Sequence, residues 1–204
     1  MNRVVLKGFL RNIQPSHKVG DIEYNKADIL VRRANGKEDL LNIRFKKFSN
    51  PYKEDQEVEL VGNIRSYSKQ ISINKNKVDI YVFSYFDKPE ESEENISNKV
   101  ILDGRICIID NIRTTKDDKQ NIHFIIANNL SIDNDSKKLN SYIPCIAWGK
   151  VAKEVSKLSI NSKVKVVGEL HSREYKKYTS TDEYEIRVAY ELLVTEIEVV
   201  KEKE

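Results

Sequence analysis

Three aromatic side chains and the cations near them define the chemistry this sequence could carry. Between residues 142 and 148, Tyr142, Pro144, Ile146 and Trp148 fall to one side of an extended strand, and Ile143, Cys145 and Ala147 to the other. The second set is small and apolar, as the inside of a narrow barrel requires, so the rings are expected outside. A second alternating run, from Val164 to Tyr175, sends Val164, Val166, Gly168, Leu170 and Ser172 inward. It leaves Lys165, Val167, Glu169, His171, Arg173 and Tyr175 outward. Flat rings beside Lys and Arg can stack unpaired bases, at roughly 1–3 kcal/mol each, and neutralise phosphates with release of counterions. Plainer roles exist for each residue. Trp148 could close a barrel end, and Tyr142 and Tyr175 could be cross-strand partners on a wet sheet. The grouping of rings with cations is what favours binding, because a single lysine more often only solvates a surface.

Other chemistry finds little support. His17, His123 and His171 share no metal-ligand spacing. Cys107 and Cys145 lie far apart in apolar strand patterns, which suits buried thiols in a reducing compartment. There is no Gly-rich phosphate loop, nucleophile elbow or paired-carboxylate motif, so no enzyme, metal or cofactor is expected. No apolar run approaches the roughly 18 residues of a membrane span. The start, Met1 to Leu6, is too short and too alternating for a signal peptide. A cytoplasmic, non-membrane protein is expected. The formal net charge is only +3, but residues 1–88 hold 17 Lys and Arg against 11 Asp and Glu. Distribution, not total charge, therefore carries the electrostatic argument.

The elements that must hold these residues occur twice. Asn2-Arg3-Val4-Val5-Leu6-Lys7-Gly8 parallels Asn98-Lys99-Val100-Ile101-Leu102-Asp103-Gly104, and Val58 to Ser66 parallels Val164 to Ser172 in the same order. This predicts a domain over 1–88, an acidic, proline-started linker over 89–97 and a second domain over 98–200. Strands are expected near 3–13, 27–33, 40–46, 58–67 and 77–86, then near 99–109, 122–128, 141–148, 164–175 and 184–199. Asn35-Gly36 marks a tight hairpin. Val151, Ala152, Val155 and Leu158 recur at helical spacing after the third strand of the second copy. The matching slot, Ser49 to Asp55, has a proline and no such period, so a loop is expected there. Gly8, Gly62, Gly104 and Gly168 sit where barrel strands bend. Five short strands with a helix between the third and fourth form the OB pattern. The fold class expected is all-β, two tandem five-stranded OB-fold barrels, the second with the helix.

Three motifs carry a family resemblance over most of residues 98–199. Tyr142 with Trp148-Gly149-Lys150, Leu170-His171-Ser172-Arg173-Glu174-Tyr175, and Asn98 to Arg105 together resemble the bacterial single-stranded DNA-binding protein family. That likeness implies non-catalytic binding of single-stranded DNA, largely without sequence specificity, in replication, recombination or repair. It places Tyr142, Trp148 and Tyr175 at stacking positions. Lys99, Arg105, Arg113, Lys150, Arg173, Lys176 and Lys177 then become phosphate contacts, and Tyr178 extends the platform. In the first copy strand parity turns Lys7, Arg44, Arg65 and Tyr67 outward, so it offers charge but few rings, Tyr67 and Tyr24. One-domain relatives assemble as tetramers, which implies a homodimer with four OB units. The family's acidic, apolar-tipped tail is not matched by the closing residues 199–204, which points to an accessory, plasmid or phage role. The alternatives are a protein-interaction or primosome-type accessory module and single-stranded RNA binding.

Overall fold

Apolar residues at every second position dominate this chain, and in the computed structural model those runs become strands. Residues 1–47, 52–72, 75–85, 96–131, 138–178 and 183–200 are described; most of the expected linker, 89–95, lies outside them. In order the elements are β1 (Asn2–Val19), β2 (Ile22–Arg32), β3 (Glu38–Lys46), β4 (Glu57–Ser72), β5 (Lys75–Ser84), β6 (Asn98–Ile109), β7 (Arg113–Thr114), β8 (Gln120–Ser131) and β9 (Lys138–Trp148). Then come α1 (Gly149–Val155), β10 (Lys163–Tyr178) and β11 (Tyr184–Val199). No helix among the described residues is long and apolar enough to cross a membrane.

The pairings close on themselves twice. β1 pairs with β2 and β4, β2 with β3 and β4 with β5, all antiparallel, and a short parallel contact of β3 with β5 completes the cycle. β6, β8, β9, β11 and β10 repeat the scheme, again with one parallel contact, β9 with β11. β7 is a two-residue addition on β8. This is the all-β OB connectivity that the alternating pattern predicted. Inside the cycles lie Leu6, Ile29, Leu41, Ile43, Phe45 and Ile64, then Leu102, Ile126, Ile143, Cys145, Val166 and Leu170, all buried.

The cycles differ where the helix stands. In the C-terminal cycle Ala152 and Val155 of α1 are buried beside Ala147. The N-terminal cycle has Phe45 at the register position of Ala147, with the Tyr52 ring edge-on to it at 6.1 Å. A larger strand residue and a loop tyrosine thus occupy volume that a small residue and a helix occupy in the other half. The Asn35-Gly36 hairpin is present, with Gly36 at φ 81°. The strands of the first hairpin, however, run well past expectation, to Val19 and from Ile22. Gly20, at φ 56°, makes that turn. At Gly168 an added Cβ would run into the Leu193 carbonyl, and at Gly8 into that of Leu30.

β1 and β6 join the two cycles by antiparallel pairing centred on Val4 and Val100. Repeated amides brace this seam. Asn2 donates to the Ile64 carbonyl at 2.8 Å and accepts from the Ile64 N–H at 2.9 Å. Asn98 does the same with Leu170, at 2.7 and 2.9 Å. An Asn side chain can grip both polar groups of one residue, which backbone pairing alone leaves unmet at a strand's edge.

Candidate nucleic-acid interface

The outer wall of the C-terminal cycle is built by strand parity from β6, β8, β9 and β10. With Ile143, Cys145 and Ala147 committed to the core, Tyr142 and Trp148 must face out, and they keep 51% and 40% of their surface. Directly opposed residues on neighbouring strands share a face. Lys163 opposes Arg105, Arg105 opposes Ala127, and Ala127 opposes Tyr142, so one row crosses four strands from two cations to a ring. The small Ala127 leaves a shallow floor between them. Trp148 opposes Asn121 at the far end of β9. Arg105 is anchored through Nη1 to the Asn161 carbonyl at 2.9 Å. Lys150, two residues after Trp148, is 91% exposed, with Glu154 at 3.8 Å. Arg113 is exposed on β7, 3.3 Å from Asp110.

Tyr175 stands elsewhere on the same unit. β10 and β11 continue beyond the cycle as a two-stranded arm, in which Tyr175 opposes Arg187 and Lys177 opposes Glu185. Arg173 lies on this face, its guanidinium 5.9 Å from the Tyr175 ring and its Nε 3.6 Å from Glu191. Tyr178, expected to extend that platform, opposes Tyr184 on the other face. Lys176 lies on that other face too, opposite Ile186, with its ammonium 4.2 Å from the Tyr184 ring centre. Three residues along a strand is an odd step and reverses the side chain. The arm therefore carries two aromatic faces.

The N-terminal cycle is richer in rings than the sequence reading allowed. Tyr81 and Phe83 of β5, and Tyr85 just after it, alternate with buried Ile80, Val82 and Ser84, and so face out. Arg44 lies over Tyr81 at 4.0 Å and Arg65 over Phe83 at 4.1 Å. His17 stacks on Tyr24 at 4.7 Å, and Tyr24 and Tyr85 both approach Phe83. The period-two pattern from Asp79 to Tyr85 was the signal that could have revealed them. Tyr67 is exposed on β4. Two predicted cations lie apart from the rings. Lys7 is paired with Glu59 at 2.6 Å, and Lys99 faces Val5 in the β1–β6 seam.

The arm reaches across to the N-terminal cycle. There Asp39, with no exposed side-chain surface, accepts from Arg33 at 2.6 and 2.5 Å and from the Ser172 N–H at 2.6 Å. Burial pushes its carboxyl up, but the bonds from Arg33 and Ser172 outweigh burial and hold it below the usual carboxylate range. Tyr190 comes from the same arm, and burial raises its hydroxyl. At the opposite junction Ser66 of β4 meets Ser141 and Tyr142 of β9, and the Tyr142 N–H donates to Ser66 Oγ at 2.7 Å. No cluster of metal ligands occurs among the described residues.

The model of the single-strand binding protein family matches residues 97–199. No curated protein matches the chain. Among solved structures, the wild-type single-stranded DNA binding protein from Thermus aquaticus is similar over 100% of this chain and 95% of its own, at 16% identity and a TM-score of 0.75. A deletion mutant of that protein is similar over 100% and 96%, at 16% identity and a TM-score of 0.72. At such identity the structural likeness concerns the fold alone.

Proposed function

This chain belongs to the single-strand binding protein family, and we propose that it binds single-stranded DNA through the outer wall of its C-terminal cycle, by base stacking and phosphate neutralisation. The observation that carries the reading is the row Lys163–Arg105–Ala127–Tyr142, with Trp148 on the same wall. Exposed rings accept a base face of any identity, so little sequence preference follows. Such binding would protect single strands in replication, recombination or repair, in the cytoplasm and without turnover. Arg44 and Arg65, stacked on rings of β5, extend the same chemistry to the N-terminal cycle. By the assembly of one-domain relatives, two chains would pair to give four OB units, with 1–88 and 98–200 as the domains. Sedimentation of the intact chain tests that.

Trp148 is the chain's one tryptophan, so its emission reports the site directly. Titration with oligo-dT should quench it, with affinity falling steeply as salt rises. Trp148→Ala or Tyr142→Ala should each weaken binding, followed on labelled oligo-dT, by about 1–3 kcal/mol. That is roughly 5- to 150-fold at 1.4 kcal/mol per tenfold. Unquenched emission at micromolar DNA would favour an interaction module instead. Tighter binding of a matched RNA would move the assignment to RNA.

A further inference from the structure

Beside Trp148 an open cleft of about 880 Å³ lies between the turn leading from β7 into β8 and the first residues of α1. Its size falls within the range of clefts that take small ligands. The indole forms one side. Lys119 comes from the turn, and Lys150 and Lys153 come from the helix, three residues apart and so on one face. Against these three ammonium groups the cleft presents a single carboxylate, Asp118. Gly149, at φ 55° and with open space where a Cβ would stand, turns the chain from β9 into α1 without filling the cleft.

The three lysines are not equivalent. Lys150 lies within 3.8 Å of Glu154 and is partly neutralised. Lys119 and Lys153 are exposed, and no carboxylate among the described residues holds either in an ion pair. Lys7 and Lys47, by contrast, each have a carboxylate at 2.6 Å. Uncompensated ammonium groups on two separate elements, lining one cleft with an indole, suit a chain of phosphates with a base between them.

We propose that this cleft is a phosphate-binding extension of the single-strand path: a nucleotide stacked on Trp148 hands its flanking phosphates to Lys119 and Lys153. The proposal rests on the single-strand reading above and adds two residues and a direction to it. The strand leaves the β9 wall past the indole, between the turn and the helix.

The test is the salt dependence of oligo-dT binding by the intact chain, measured by anisotropy of labelled oligonucleotide. Wild type is compared with Lys119→Gln/Lys153→Gln and with a control of equal charge, Lys53→Gln/Lys157→Gln, outside the cleft. Loss of two phosphate contacts should reduce the slope of log K against log salt by about 1.4, at roughly 0.7 per phosphate on a single strand. The control should keep the wild-type slope. An unchanged slope in the cleft variant, or an equal loss in both variants, overturns the cleft while leaving the single-strand reading intact. No binding by wild type at low salt overturns the reading itself, and the cleft with it.

Discussion

Replacing Asp39 by alanine should cost the fold about 3 kcal/mol, the lower end of the range for breaking a buried ion pair. The carboxylate is fully buried on β3 and takes two bonds from Arg33 and one each from the Ser172 N–H and hydroxyl. Alanine leaves Arg33 unpaired, but a fifth of that side chain is exposed, so the guanidinium can partly rehydrate. The Ser172 N–H also loses its acceptor and is only part-buried, so its share lies at the low end of the roughly 1–3 kcal/mol of an orphaned buried donor. Asp39→Asn keeps one acceptor, for Ser172, but loses the charge and sets an amide N–H against the Arg33 Nε–H, so a cost below that of alanine but not a small one is expected. The pH dependence is a second signature. Asp39 is held below its unfolded value, near 3.9, so its contribution is complete above that value and fades as pH falls through the lowered folded one. The gap between wild type and Asp39→Asn should therefore narrow in acid. Urea denaturation followed by circular dichroism, at neutral pH and through the acid range, measures both effects. If Asp39→Ala lies within about 0.5 kcal/mol of wild type, as ordinary surface changes do, or the gap stays constant in acid, the clamp is not energetically real.

Two further outcomes follow from packing. Gly168→Ala drives a methyl into the Leu193 carbonyl, and with backbone on the other side the strand itself must move. A loss of about 1–3 kcal/mol is expected in thermal or urea melts, and an unchanged melt would mean that β11 yields freely. Burial pushes the Cys145 thiol far above its ordinary range and raises the half-buried Cys107 less. Iodoacetamide at mildly alkaline pH should thus modify Cys107 slowly and Cys145 only after denaturation, read by peptide mass spectrometry. Equal labelling of the two would refute the packing assigned to β9.

Alternation placed the core residues and the rings of β9 but not Ile146, which falls on the outward side and is nevertheless buried. Ile143, Cys145 and Ala147 are inside and Tyr142 and Trp148 outside, because a core one residue deep leaves no other register. The same rule applied along β10 and β5 would have put Tyr178 opposite Tyr175 and turned Tyr81, Phe83 and Tyr85 outward. Those residues were legible in the alternation of the strands that carry them. The long first hairpin was not. Its strands from Asn12 to Tyr24 are mostly polar and exposed, so no buried face imprints a period on them. Nor was Asp39, whose partner Ser172 lies 133 residues away. Nothing in the local sequence distinguishes a carboxylate that meets the other half of the chain from one that meets water.

The pairing of β1 with β6 has a consequence for how this molecule can change. In an association of identical subunits every substitution is made at both ends of the two-fold axis, and dilution dissolves the contact. Tethered halves meet at an effective concentration set by the chain, so dilution has no such hold, and each half can drift alone. One junction holds a buried carboxylate and a guanidinium, while at the other the hydroxyls of Ser66 and Ser141 accept from backbone N–H groups. The tether has made left and right distinguishable, and a strand laid across such a molecule meets a different surface at each end.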